Sequence, residues 1–151
     1  FLFSREGVAD LKGVPKVLLL SHVLEHIPAP LDTLREIAAV LEPGDLFYLE
    51  VPAWTGFAFA SQGYDWELWY PEHYELFSRR TVRHVAQAAG LNIRSMGLRV
   101  FNARALPRRQ LARAVANAPL RALQALATGR RGPDFLDHVL GDHIYAILSR
   151  P

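Results

Sequence analysis

The chain has 151 residues, half of them apolar and 21% charged, a mixture that folds around a single core and excludes wholesale disorder. No apolar run reaches the roughly 18 residues of a membrane span, and the opening FLFSRE lacks the basic start and long apolar stretch of a secretory signal. Without cysteine there can be no disulfide or thiolate metal site, and a cytoplasmic protein is expected. The net charge of +2 hides an asymmetry, because residues 1–100 carry nine Lys/Arg against twelve Asp/Glu while residues 101–133 carry seven arginines and no acid.

The elements follow in chain order. Val17-Leu18-Leu19-Leu20 is an apolar run too short for a helix and bounded by Pro15 and Ser21-His22, which predicts a buried strand. Residues 31–42 place Leu31, Leu34, Ile37, Ala38 and Leu41 at helical spacing, with Asp32 suited to the positive end of the helix dipole. Glu42-Pro43-Gly44-Asp45 stops that helix and turns the chain into a second strand over 46–51, closed by Pro52. Residues 53–77 show no period but are rich in aromatic side chains, as expected of a binding loop or lid. Ser78 is a good N-cap for a helix over 79–89, with Gly90 at its C′ position. A third strand is predicted over 91–100, bent at Gly97, and a last one over 143–148. Between them, residues 103–127 are helical in pattern but interrupted by Pro107 and Pro119. Strands alternating with helices predict an α/β fold with a mostly parallel sheet, the last strand running antiparallel near its edge.

VLLLSHVLEHIPAPLDTLREIAAVLEPGDLFYLEVP (17–52) resembles the fourth strand, fourth helix and fifth strand of class I S-adenosylmethionine-dependent methyltransferases. Asp45 stands where that family usually has a second glycine. YPEHYELFSRRTVRHVAQAAGL (70–91) is similar to the segment after strand five in members acting on sugars and other small molecules. The resemblance implies a doubly wound, Rossmann-like sheet and S-adenosylmethionine as cofactor. It also implies a small-molecule acceptor, such as a sugar or natural-product intermediate. In the family a Gly-x-Gly-x-Gly loop and an acidic strand end lie upstream of these motifs, and neither occurs here. The chain therefore reads as a partial domain over 1–151, incomplete at its N-terminus and inactive alone, with 101–142 a helical basic insertion.

Several side chains are candidates for the chemistry. The resemblance puts Ser21 and His22 at the carboxyl end of the sheet, where cofactor and acceptor meet. The Tyr70-x-Glu72-His73 element matches one that supplies a base in sugar C-methyltransferases, and a histidine titrates near working pH. Tyr70, Glu72, His73 and His22 are thus the expected catalytic group, with Trp66 and Trp69 as acceptor walls. Some relatives bind a divalent ion at the Leu-Glu-His turn, which here would use Glu25, His26 and His73. The first position of that pattern is normally glutamate and is His22 here, so no resident metal is expected.

Two other enzyme readings and one binding reading compete. His22-Val-Leu-Glu25-His26 also spells the inverted zincin motif, but Pro28 and Pro30 leave no room for the long helix it needs. The arginines of 101–131 could meet an anionic partner, yet the acidic balance of residues 1–100 argues against nucleic acid. A degenerate methyltransferase fold serving as a non-catalytic interaction module is the alternative to methyl transfer.

Overall fold

The computed structural model describes residues 11–56, 59, 64, 66, 68, 69, 71–99, 116, 119, 123, 127 and 141–151. Four strands form one sheet: β1 (Val17–Ser21), β2 (Leu46–Pro52), β3 (Asn92–Arg99) and β4 (His143–Ser149). Helix α1 (Pro30–Val40) connects β1 to β2, and α2 (Arg79–Ala88) lies between β2 and β3. The strand order is β1-β2-β4-β3, with β1 parallel to β2 and β4 antiparallel to both its neighbours. Three strands therefore point one way, and the last strand slots between two of them. Helix elements on a mostly parallel sheet are the α/β class expected from the alternation of the sequence. The helical insertion expected over 101–142 and the helical pattern of 103–127 lie outside the described residues, apart from isolated positions.

The strands form where they do because alternate residues have a core to enter. Leu20, Phe47, Leu49, Val51, Ile144, Ala146, Leu148 and Leu98 all face one side and are buried there with Leu34 and Ile37 of α1 and Val82 and Ala86 of α2. Both helices thus pack on the same face of the sheet. The opposite face carries Val17, Leu19 and Leu46, all exposed, and Leu19 reaches 70%.

Local signals account for the element ends. Ser78 accepts from the Thr81 N–H at 3.1 Å while Thr81 Oγ1 accepts from the Ser78 N–H at 2.7 Å, a reciprocal capping box on α2. Gly90, at φ 78°, ends that helix in the left-handed conformation. The bend expected at Gly97 is instead a register shift between Ile93 and Ser95. Gly97 has another reason to lack a side chain: a Cβ there would meet the Tyr145 ring at 2.8–3.0 Å. Among the described residues no helix is long and apolar enough to cross a membrane.

Candidate active site at the carboxyl rim of the sheet

The carboxyl ends of β1, β2 and β3 and the start of β4 form one rim, and the polar residues of the fold converge on it. The inverted zincin geometry is absent: His22 follows a strand, and Glu25 and His26 sit on a single 3₁₀ turn, Leu24–His26. His22 leaves the strand at φ 54°, a conformation that disfavours side chains and that the surroundings must enforce. Its N–H still bonds the Glu50 carbonyl at 3.0 Å, so the chain stays in register with β2 up to the point where it turns away.

The turn places Glu25 inside the protein, 1% exposed, with His26 beside it at the surface. The loop after β2 folds back over this turn. Ala53 and Phe77 form a parallel bridge that closes the loop at its base, and the Glu75 N–H donates to the Glu25 carbonyl at 3.2 Å. His26 Nδ1 donates to the Glu72 carbonyl at 2.9 Å, and the His26 and His73 rings meet edge-to-face at 4.6 Å between centroids. One ligand-type atom from each of Glu25, His26 and His73 lies within 4.8 Å of the others. These three residues, 48 positions apart at the extremes, are brought together by two loops.

Burial favours the uncharged forms of Glu25 and His73. It pushes the Glu25 carboxyl above its ordinary range, opposed by a hydrogen bond with its own backbone and by the nearby His26. Burial also lowers His73, helped by neighbouring His26 and opposed by a hydrogen bond with the Leu68 backbone. The nearby Glu72 carboxylate acts on His73 in the same direction as that hydrogen bond. His22 is lowered by burial and next by His143, so a neutral imidazole is the stable form there too.

A second group lies alongside. His143 Nδ1 is 2.8 Å from Asp142 Oδ1, and its ring is tilted against that of His22 at 4.7 Å between centroids. His22 Nδ1 is in turn 3.6 Å from Glu25 Oε1. Glu50 is only 4% exposed, and one of its oxygens accepts from Tyr48 Oη at 2.9 Å and from Ser21 Oγ at 3.4 Å. Arg99 Nε approaches the other at 3.3 Å, and Arg99 Nη1 donates to Tyr48 Oη at 3.1 Å. His143, Asp142, Glu50, Tyr48 and Arg99 were not among the residues expected from sequence. Glu50 carried a signal, an acid inside the apolar run Leu-Phe-Tyr-Leu-Glu-Val, and His143 opens an otherwise apolar strand.

The aromatic residues of the loop cluster together. Phe59 contacts Trp54, Tyr64, Trp66 and Trp69 at centroid distances of 5.8–6.4 Å. Trp66 is buried at 3% exposure, whereas Trp69 remains 39% exposed. Tyr70, expected to act with Glu72 and His73, lies outside the described residues.

An α/β sheet whose loops gather titratable groups at the carboxyl ends of parallel strands is a scaffold for a ligand crevice at that rim. A profile describing a methyltransferase domain matches residues 1–96, and the chain belongs to that family. Among solved structures, that of a SAM dependent methyltransferase from Archaeoglobus fulgidus aligns with a TM-score of 0.52 and 14% identity. That alignment covers 99% of this chain and 66% of the other, so the chain spans slightly under two-thirds of that protein's length. At this identity the likeness is one of fold. No curated protein matches the chain.

Among the described residues, no glycine-rich run brings backbone amides to the rim to cradle a nucleotide or a methionine moiety. Ser21 and His22 border the crevice, but the Ser21 hydroxyl already serves Glu50.

Proposed function

We propose that the protein transfers a methyl group from S-adenosylmethionine to a small-molecule acceptor, such as a sugar or natural-product intermediate, in the cytoplasm. Membership of a methyltransferase family supports the reaction class. The observation that carries the acceptor side is the convergence of His22, His26 and His73 at the rim of the sheet, where loops from β1 and β2 meet. S-Adenosylmethionine supplies an electrophilic methyl on a sulfonium when bound.

This chain's part is to position the acceptor and to handle its proton. His73, held by the Leu68 backbone and kept neutral by burial, offers a ring nitrogen to a hydroxyl or acidic C–H of the acceptor. A neutral His22 at the end of β1 suits a place near a sulfonium, because a second positive charge there would repel it. Trp69 gives the acceptor an exposed aromatic wall, and Trp66 backs it from the interior. Much of the rate enhancement comes from holding the reactants in line.

The test is methyl incorporation from labelled S-adenosylmethionine into a panel of sugars and phenolic or hydroxy-acid metabolites by the whole protein. His73→Ala should lower turnover by about 10² to 10⁴, the usual range for a positioned base, and leave cofactor affinity nearly unchanged. Full turnover in that variant would remove the base assignment. Cofactor binding without transfer to any acceptor class would favour the non-catalytic alternative.

A further inference from the structure

The loop after β2 carries an aromatic cluster whose exposure a packing role does not explain. Trp54, Tyr64 and Trp69 are exposed, Tyr64 at 77%, and each packs its ring against the half-buried Phe59. Large apolar side chains gathered at a surface mark a place where something docks. The Tyr64 and Trp69 rings lie 5.2 Å apart between centroids with their planes at 67°, and Phe59 stands at 89° to Tyr64. Rings crossing at such angles form a corner and not a stack, and a corner offers π faces in more than one direction. The Trp54 N–H donates to the Phe77 carbonyl at 3.1 Å, which anchors the cluster at the carboxyl rim of the sheet. The Leu68 backbone, one residue before Trp69, hydrogen-bonds to His73, so the cluster adjoins that imidazole.

The charge of the loop selects the occupant. Residues 53–77 contain Asp65, Glu67, Glu72 and Glu75 and neither lysine nor arginine. Glu72 and Glu75 are exposed on either side of His73 in the chain. An aromatic face is electronegative at its centre and attracts a cation. Surrounding carboxylates add to that attraction and repel phosphate or carboxylate ligands. His73, kept neutral by burial, adds no opposing charge.

We propose that the acceptor is a cationic small molecule, bearing a protonated or quaternary amine, and that Trp54, Tyr64 and Trp69 bind that charge. Among sugars and natural-product intermediates the loop thus selects those that carry an amine. Its carboxylates also offset the repulsion between that amine and a sulfonium in the same crevice. The acceptor role rests on the methyl-transfer reading, whereas the preference for a cation belongs to the loop and is measured without cofactor.

The test is titration of the isotope-labelled chain with choline and, separately, with its uncharged isostere, the alcohol in which carbon replaces the ammonium nitrogen. The indole N–H signals of the three tryptophans report binding by nuclear magnetic resonance. Those of Trp54 and Trp69 should move saturably with choline, and that of the buried Trp66 should move less. The isostere should bind about 2- to 30-fold more weakly, the span of a cation–π contact from exposed to desolvated sites. Trp69→Leu and Tyr64→Leu keep apolar area but each removes a π face, and together they should erase the preference, with Trp54 as the reporter. Amide signals of the sheet would show that the double variant is folded. Tyr64→Leu alone, at a largely exposed side chain, should weaken choline and leave the isostere unchanged. Absence of a saturable shift with choline would overturn the proposal, as would equal affinity for the two probes or a preference that survives in the double variant. The preference is read without turnover, so its failure and that of the methyl-transfer reading are seen separately.

Discussion

Asp45 shows how one residue can tie distant parts of the fold together. It stands where the family usually has glycine, and its carboxylate accepts from the Lys16 N–H at 3.0 Å and the Glu42 N–H at 2.7 Å while pairing with Lys16 Nζ at 2.7 Å. The turn between α1 and β2 is thereby fastened to the residue preceding β1. Burial would raise the Asp45 carboxyl, but the Lys16 contacts and the two N–H donors outweigh it and hold it below its ordinary range. Glu42, bonded first to the Gly13 N–H and next to Lys16, is lowered as well. Groups lowered in the folded state stabilise it above their unfolded values and lose that contribution as pH falls through the folded ones. Stability should therefore decline as pH drops below about 4, the ordinary range of Asp and Glu. Asp45→Asn places an amide donor against an N–H donor, so it should lower Tm at neutral pH and flatten the acid decline. Melts from pH 3 to 7 that match the parent chain in both respects would refute this. Gly56 is constrained more tightly, since an added Cβ would meet the Ala53 carbonyl at 2.7 Å and Asp142 Cα at 2.9 Å. Gly56→Ala must shift backbone beside the rim, and a clear fall in Tm is expected on calorimetry.

At the scale of elements, β1 separates its two faces residue by residue. Leu20 enters the core and Leu19 points to the uncovered face. Leu20→Ala should cost about 2–5 kcal/mol through lost burial and a residual cavity. Leu19→Ser should stay within about 0.5 kcal/mol, as at other exposed positions. Equal destabilisation by the two in urea titrations would mean that the face assignment of β1 is wrong. In α2, Ser78→Ala removes one partner of the capping box and should cost about 1 kcal/mol. For a domain of this size that corresponds to a Tm lower by about 2–4 °C. An unchanged melting temperature would show that Thr81 alone suffices at that end. The strands and both helices were legible within one or two residues because their signals are local: short apolar runs bounded by turn residues, helical spacing, a serine cap and a glycine in the left-handed region. The bend foreseen at Gly97 was misplaced because a glycine can answer a steric demand from a neighbouring strand as well as a backbone one.

For the molecule as a whole, both described helices pack on one face of the sheet, and titratable side chains gather at its carboxyl rim. The 151-residue chain alone should bind S-adenosylmethionine weakly or not at all, because its sequence contains no Gly-x-Gly-x-Gly loop to approach the methionine end. Calorimetric titration giving micromolar affinity would contradict that expectation. The sequence by itself determined the class of the fold and the candidates Glu25, His26 and His73, since periodicity and short motifs need only neighbouring residues to be read. Only the tertiary structure decided that β4 enters between β2 and β3, which sets His143 against His22 and Arg99 near Glu50. Only the return of the loop after β2 brought His73 to Glu25 and His26. Such meetings depend on strand order, register and loop closure, which arise when the whole chain buries its apolar faces together, and no window of a few residues contains them.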